Sequence, residues 1–184
     1  MQLSNEHGRL LLEVAKKTIA DFVCKEPVRK PEKYPSELNE KRGVFCTIKK
    51  NGELRGCIGM PYTVMPLIDA LISSACSCCE DPRFPALEKN ELNDIKIEIS
   101  VLTEPKLLNG VPEERASQIK IGEDGLIIQY GPFSGLLLPQ VAAEHSFSAE
   151  QFLACLCEKA GLAPDMWKEE KARIYEFHAQ VFSE

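Results

Sequence analysis

Leu54-Arg55-Gly56-Cys57-Ile58-Gly59 is the stretch that decides the fold and the candidate site, because small, apolar and reactive side chains alternate along it. Successive side chains of a β-strand point to opposite faces of the sheet. The pattern therefore predicts a strand with Leu54, Gly56 and Ile58 on the side that packs on a core, and with Arg55 and Cys57 on the other side. Gly56 and Gly59 leave bare backbone that a ligand can approach closely.

A β-hairpin joins this stretch to the residues before it. Residues 43–50 are rich in β-branched and aromatic side chains, and Asn51-Gly52 is a strong signal for a two-residue turn. A type I′ turn there sets Lys50 opposite Glu53 and, counted outward, Cys46 opposite Cys57. The sequence thus predicts two neighbouring reduced thiols.

Two alternatives to this thiol pair stay open. A three-residue loop with a bulge would shift the register and set Cys57 opposite Thr47 or Phe45. In the predicted register, the two thiols either form a strained and easily reduced bridge under oxidation, or simply fill space between the strands and a helix.

The rest of the chain alternates helix and strand patterns without a regular βαβ rhythm. Helices are expected from Ser4 or Asn5 to about residue 23, over 64–79, over 112–119, and from the capping box at Ser148 to Gly161. Further strands are expected over 95–101, 126–130, 136–138 and 172–182. Hairpins and helices in this order predict an α+β fold with helices packed on an antiparallel sheet. A length of 184 residues without a repeat or a linker predicts a single domain.

Composition and charge exclude several classes of protein. The net charge is −6, from 22 basic and 28 acidic residues, which disfavours nucleic acid as a partner. No run of residues approaches the ~20 apolar side chains of a membrane span, and the first residues form no signal sequence, so we expect a cytoplasmic protein. In that compartment the eight cysteines stay mostly reduced.

The cysteines and histidines do not predict a metal site. In the helix over 64–79, Cys76 and Cys79 share a face whereas Cys78 points elsewhere, and structural zinc takes four ligands. The three histidines are far apart in the sequence. The chain also lacks the C-x₃-C-x₂-C run that holds a radical iron–sulfur cluster, so we expect neither a metal nor a cofactor in this chain.

The hexapeptide at 54–59 makes the chain resemble the AMME chromosomal region gene 1 protein family, protein A of the AmmeMemoRadiSam system. Two further segments are similar to the pattern of this family: Glu80-Asp81-Pro82-Arg83-Phe84 and Leu138-Pro139-Gln140-Val141. The resemblance implies one domain over residues 1–184, made of two unequal lobes with both termini in the larger lobe. It also implies a genetic association with a Memo-type protein and a radical S-adenosylmethionine enzyme, and hence a role in a modification pathway.

The candidate site combines the hexapeptide with these two segments. Arg55 and Cys57 are the candidate catalytic residues, because a neighbouring arginine lowers the pKa of a thiol. The structural alternative is that Cys57 is a small core residue and that Arg55 pairs with a distant carboxylate. The other candidates are ligand-binding residues: Leu54, Gly56, Ile58, Gly59, Glu80, Asp81, Arg83, Pro139 and Gln140.

The acidic pair Glu80-Asp81 follows the end of a predicted helix, where the helix dipole disfavours negative charge. We expect Arg83 to compensate this charge. A structural loop and the lining of a cleft are equally compatible with the segment.

Two functions follow from these residues. As an enzyme, the protein would use Cys57 as a nucleophile or as a thiol ligand, and Arg55 to hold an anionic substrate through two parallel hydrogen bonds. As a binding module, the same face would dock a protein or a peptide, and the glycines would allow close contact with the backbone. The partner is then a small molecule or a protein, with the Memo-type and radical S-adenosylmethionine proteins as the candidates that the resemblance implies.

Overall fold

The computed structural model describes residues 2–62 and 64–184. The α-helices in these ranges are α1 Asn5–Cys24, α2 Leu67–Cys78, α3 Arg115–Gln118, α4 Pro139–Glu144 and α5 Ala149–Lys159. The strands are β1 Val44–Lys50, β2 Glu53–Met60, β3 Ile95–Leu102, β4 Lys106–Leu107, β5 Asp124–Tyr130, β6 Phe133–Leu137 and β7 Arg173–Ser183. The pairs β1–β2, β1–β3, β4–β7, β5–β6 and β5–β7 are antiparallel, and the helices with this sheet confirm the predicted α+β class.

The chain forms two compact units. The first contains the residues up to Leu102 together with Gln180–Glu184, and the second contains Thr103–Ala179. Each unit has its own hydrophobic core. Within the described ranges, no helix has the length and apolar character that crossing a membrane requires.

In the first unit, β1 lies between β2 and β3, and β2 is an edge strand. Helices α1 and α2 pack on each other, α2 packs on β1 and β2, and α1 packs on β3. The strands contribute alternate residues to the core: Val44, Cys46 and Ile48 from β1, and Ile97, Ile99 and Val101 from β3. Ser4 begins α1, since its side chain accepts a hydrogen bond from the backbone N–H of His7 at 3.2 Å.

The register predicted for the hairpin is wrong beyond its turn. Lys50 lies opposite Glu53 as expected, but a bulge follows, and Cys57 lies opposite Thr47 whereas Cys46 lies opposite Ile58. The extra residue of the bulge is Arg55, which falls between the pairs Lys49–Leu54 and Ile48–Gly56.

Burial explains this bulge. Residues directly opposite each other share one face of a sheet, and Ile48 points into the core with 1% of its surface exposed. The regular register would place Arg55 opposite Ile48 and so bury the guanidinium group in the apolar core. The bulge places Gly56 there instead. The bulge also interrupts the alternation of side chains along β2. Leu54, which was predicted to face the core, is therefore 43% exposed.

In the second unit, β5 lies between β6 and β7, and β4 pairs with β7. Helix α5 packs on β5 and β6. The predicted capping box at Ser148 is confirmed, since Ser148 accepts from the N–H of Gln151 and Gln151 accepts from the N–H of Ser148. Gly135 lets this helix approach β6, because a Cβ atom there would lie 2.9 Å from the backbone nitrogen of Ala160.

A buried arginine of α3 binds the segment that precedes β7. Arg115 is 6% exposed, and its guanidinium group donates hydrogen bonds to the carbonyl groups of Trp167, Glu169 and Ala172. Burial lowers the pKa of this guanidinium group from its ordinary value. The sequence analysis did not single out this residue.

Candidate functional site

Arg55 is held by groups of its own chain. Its Nε and Nη2 atoms donate to the two carboxylate oxygens of Glu91 at 3.1 and 2.9 Å. Its Nη1 and Nη2 atoms also donate to the carbonyl oxygens of Pro85 and Ala86 at 2.8 and 3.2 Å. The Arg55 side chain is only 16% exposed. These contacts occupy four of the five N–H groups of a guanidinium group, so little donor capacity is left for a ligand.

Glu91 is the centre of a small charge network. Lys50 Nζ lies 2.9 Å from the carboxylate oxygen that Arg55 Nε also contacts. Hydrogen bonds from Arg55, and then from Lys50, lower the pKa of Glu91 to about 2, while the bond to Glu91 raises the pKa of Arg55. The sequence analysis missed Glu91, since it lies 36 residues from Arg55 in a 3₁₀ turn, Lys89–Glu91.

The Cys57 thiol has the environment of a stable thiol and not of an activated nucleophile. Thr47 Oγ1 donates a hydrogen bond to Cys57 Sγ at 3.1 Å from the opposite strand. Burial raises the pKa of Cys57, and the bond from Thr47 offsets this only in part. Among the described residues, no histidine forms a hydrogen bond with this sulfur, so none of them is placed to act as its base. The thiol therefore stays protonated at neutral pH.

Asp81 and Arg83 cover the free edge of β2. The carboxylate of Asp81 accepts a hydrogen bond from the backbone N–H of Cys57 at 2.9 Å, and Arg83 Nη2 donates to the carbonyl oxygen of Cys57 at 3.1 Å. These two side chains thus occupy the backbone groups that a neighbouring strand would use.

The same two side chains bind each other. Arg83 Nη2 lies 2.6 Å from Asp81 Oδ2, and Arg83 Nε lies 3.0 Å from Asp81 Oδ1. Hydrogen bonding by Arg83 holds the pKa of Asp81 far below its usual range. The Asp81 side chain is 1% exposed whereas that of Arg83 is 53% exposed. Arg83 therefore compensates the acidic charge next to α2, as the sequence predicted.

The two glycines of the motif are approached by the protein itself. A Cβ atom on Gly56 would lie 2.5 Å from the carbonyl oxygen of Cys78 and 3.2 Å from its sulfur. A Cβ atom on Gly59 would meet the ring of Phe45 at 2.5 Å. Close packing, rather than an open path for a ligand, explains why these positions are glycine.

A cavity of about 540 Å³ lies beside Arg55 in the first unit. We call it the Arg55 cavity, and it is lined by Lys50, Arg55, Phe84, Pro85, Ala86, Glu88, Asn90, Glu91 and Asp94. Its lining combines apolar groups, two cations and three carboxylates, so the surface has a net negative charge. It is therefore suited to a ligand that carries a basic group next to an apolar one.

The structure brings most of the predicted site residues together in the first unit. Those of β2 and of the segment that contacts it are Leu54, Arg55, Gly56, Cys57, Ile58, Gly59, Asp81 and Arg83. Glu80 directly precedes Asp81 and is exposed. Pro139 and Gln140 belong to the second unit, in the first turn of α4, where Pro139 is buried. The Gln140 Oε1 atom is buried without a hydrogen-bond partner in the described part of the chain.

A second pair of polar residues escaped the sequence analysis. His178 Nε2 lies 2.9 Å from Asp124 Oδ1 in the second unit, where the two residues are opposite each other on β7 and β5. Asp124 is buried whereas the side chain of His178 is 61% exposed. The residues lie 54 positions apart in the sequence, so only the pairing of the strands reveals their contact. In the described ranges, no group of three or more His, Cys, Asp or Glu side chains is arranged to hold a metal ion.

Comparisons with known proteins show the family and the fold. A sequence model of the family described as AMMECR1 matches residues 12–182. Protein MJ0810 of Methanocaldococcus jannaschii is 47% identical over 99% of this chain and 92% of its own length. A protein of Thermococcus onnurineus is 46% identical over 100% of this chain and 93% of its own length. The crystal structure of the uncharacterised protein PH0010 from Pyrococcus horikoshii superimposes with a TM-score of 0.93 at 43% identity, over 97% of this chain and 92% of that one.

Proposed function

We propose a binding function without catalysis for this chain, which belongs to the AMMECR1 family. Its recognition site is the Arg55 cavity. The partner is a protein segment with a basic side chain next to an apolar one. The chain acts in the cytosol as an accessory component of a modification pathway, with the Memo-type and radical S-adenosylmethionine proteins as its partners.

The observation that carries this proposal is the use of Arg55 inside the protein. A catalytic arginine needs free N–H groups for its substrate, whereas Arg55 donates to Glu91 and to two carbonyl groups. Cys57 adds to this argument, since a nucleophilic cysteine needs a base or a lowered pKa and burial raises the pKa here. The binding module is therefore favoured over the enzyme.

The composition of the cavity supports the proposed class of partner. Phe84, Pro85 and Ala86 offer an apolar wall, and Ala86 and Pro85 are exposed. Glu91 is already paired with Lys50 and Arg55. Glu88 and Asp94 add two negative charges, whereas Lys50, Arg55 and Glu91 together carry one positive charge, so the lining keeps a net negative charge. A lysine or arginine side chain fits this combination, with its aliphatic part on the apolar wall.

Alkylation of the thiol tests the absence of catalysis. We expect iodoacetamide at pH 7.5 to label Cys57 no faster than it labels a cysteine in a short unstructured peptide, because the half-buried thiol is protonated. Mass spectrometry of the digested protein locates the label, and a Cys57→Ser variant identifies the signal. Rapid and selective labelling of Cys57 would contradict the proposal and favour the enzyme.

Calorimetry tests the site of binding. The chain is titrated with the Memo-type and radical S-adenosylmethionine proteins encoded in the same genome. Ala86→Lys and Asp94→Lys add positive charge to the lining of the Arg55 cavity, and we expect each to weaken binding by about tenfold or more. The control is Val111→Lys, which changes a side chain of the second unit that is 53% exposed. Equal affinity in all the variants, or no binding to either protein, would reject the proposed site or the proposed partners.

A further inference from the structure

A second cavity of the first unit, distinct from the Arg55 cavity, lies between α1 and β3. Its volume is about 260 Å³, and the two cavities share no lining residue. We call it the Ile97 pocket, and its apolar wall consists of Ile19, Ala20, Leu92, Ile95 and Ile97. Lys16, Asn93 and Glu184 complete the lining. An apolar cavity of roughly 150 Å³ holds benzene, so this one has room for a chain of about six to eight carbons.

A carboxylate is bound at the rim of the Ile97 pocket, and it belongs to the chain itself. Lys16 Nζ donates to Glu184 Oε1 at 2.8 Å, and the backbone N–H of Ile97 donates to Glu184 Oε2 at 3.0 Å. The backbone N–H of Glu184 also donates to the carbonyl oxygen of Ile97 at 3.2 Å. A cation and an amide N–H, each directed at one carboxylate oxygen, thus form a carboxylate-binding site next to the apolar wall.

The Glu184 side chain can leave this site at little cost. The Lys16 side chain is 63% exposed, and that of Glu184 is 25% exposed. Ion pairs in contact with water contribute little to stability. A ligand with its own carboxylate restores both hydrogen bonds and also places an apolar group against the wall of the pocket, where it is removed from water.

We propose that the Ile97 pocket binds a small aliphatic monocarboxylate, and that Glu184 competes with this ligand for Lys16 and for the N–H of Ile97. The aliphatic chain of the ligand lies against the apolar wall, and its carboxylate takes the position of the Glu184 carboxylate. An alkylamine does not fit, because both groups at the rim are donors and each oxygen of Glu184 already accepts a hydrogen bond. An alcohol of the same length fits the wall but lacks the negative charge that Lys16 attracts.

Calorimetric titration of the full chain with sodium octanoate at pH 7.5 tests the chemistry of the ligand. We expect a Kd on the order of 100 μM, since the binding free energy per atom of a small ligand is limited. Acetate has the carboxylate without the chain, and we expect acetate, octylamine and octan-1-ol each to bind at least about tenfold more weakly than octanoate. Octylamine that binds as tightly as octanoate would overturn the proposal.

Substitutions at the rim test the carboxylate-binding site. Lys16→Ala should weaken octanoate binding about tenfold. The matched control is Lys17→Ala, which removes the neighbouring cation that pairs with Asp21 and should leave the affinity unchanged. Glu184→Ala removes the competitor and should tighten octanoate binding about threefold or more. Equal losses in the two lysine variants, or weaker binding in Glu184→Ala, would contradict the proposed site.

A substitution in the wall tests where the chain of the ligand lies. Ala20 is half-buried and lines the pocket, so Ala20→Leu should fill the space of the ligand and abolish octanoate binding. The matched control is Ala143→Leu, at an exposed position of the second unit, which should bind octanoate like the unaltered chain. Circular dichroism checks that each variant is folded.

The smaller variant Ala20→Val replaces Ala20→Leu if the latter does not fold, with an expected loss of about tenfold in affinity. Undiminished octanoate binding in a folded Ala20 variant would place the ligand elsewhere and overturn the proposal. The absence of octanoate binding from both the unaltered chain and Glu184→Ala would overturn it as well.

Discussion

In each unit, the guanidinium group of one arginine binds loop residues of that unit, Arg55 in the first and Arg115 in the second. The two arginines differ in their burial and in how their charge is compensated. Arg55 contacts a carboxylate and two carbonyl groups in a position that leaves 16% of its side chain exposed. Arg115 contacts three carbonyl groups and is 6% exposed as a residue. The pKa of Arg55 is raised by Glu91, whereas burial lowers the pKa of Arg115.

This comparison shows that membership of a motif does not make an arginine a ligand-binding residue. Arg55 belongs to the hexapeptide, whereas Arg115 belongs to a segment without any motif. The guanidinium groups of both residues nevertheless donate hydrogen bonds to groups of their own chain. The difference lies in charge compensation. The charge of Arg55 is balanced by Glu91 in an ion pair, whereas Arg115 donates to three carbonyl groups and the charge of Glu113 offsets its burial only in part.

Replacing each arginine by methionine should give the largest effect. Arg115→Met leaves three carbonyl groups without their donor in a buried place, and we expect a loss of about 3–5 kcal/mol in the free energy of unfolding. Arg55→Met should cost about 1–2 kcal/mol, since Lys50 still pairs with Glu91 and water can reach the exposed residues Pro85 and Ala86. Urea unfolding measures both values. A larger loss for Arg55→Met would reverse the comparison.

Removing the carboxylate tests the charge balance at Arg55 directly. Glu91→Gln should lower the free energy of unfolding by about 2 kcal/mol at pH 7, because Lys50 and Arg55 lose the carboxylate that they share. The pH dependence has a definite sign. The pKa of Glu91 falls from 4.5 in the unfolded chain to about 2 in the folded protein, so its contribution is complete above pH 4.5 and is lost as the pH falls toward 2.

The measurement is the difference in unfolding free energy between the unaltered chain and Glu91→Gln from pH 7 to pH 2. The difference should shrink across the window below pH 4.5. Other carboxylates, Asp81 among them, titrate in both proteins and cancel in this difference. A difference that stays constant across the whole range would show that Glu91 contributes nothing through its charge.

The smallest difference between the two units should come from adding a methyl group to the glycine of each hairpin. In Gly56→Ala the new Cβ would lie 2.5 Å from a backbone oxygen at the end of α2. In Gly135→Ala the contacts with Ala160 are 2.9 to 3.1 Å, so less movement relieves them. We expect a cost of about 2 kcal/mol at Gly56 and about 1 kcal/mol at Gly135, measured by urea unfolding. Equal stability of Gly56→Ala and the unaltered chain would show the glycine to be incidental.

Local chemistry was enough to predict several elements from the sequence alone. The Asn51-Gly52 turn, the cap of α1 at Ser4 and the capping box at Ser148 all depend on contacts within four residues. The α+β class followed from patterns of the same short range. The start of α2 was misplaced by three residues, because Pro66 occupies the N-cap position and the helix begins at Leu67.

The roles of the motif residues were decided by the tertiary structure. The bulge at Arg55 arises because the space beside Ile48 in the core fits a glycine and not a guanidinium group. Residues outside the hairpin form part of that space, so the hairpin sequence alone did not predict the bulge. The partner Glu91 comes from a segment 36 residues away from Arg55, which only folding brings into contact with it. The sequence by itself determined where the chain turns and which residues are candidates, because those signals are local. The packing of α2 and of the segment 81–91 on β2 determined which candidates are already bound, since burial and pairing depend on the whole unit.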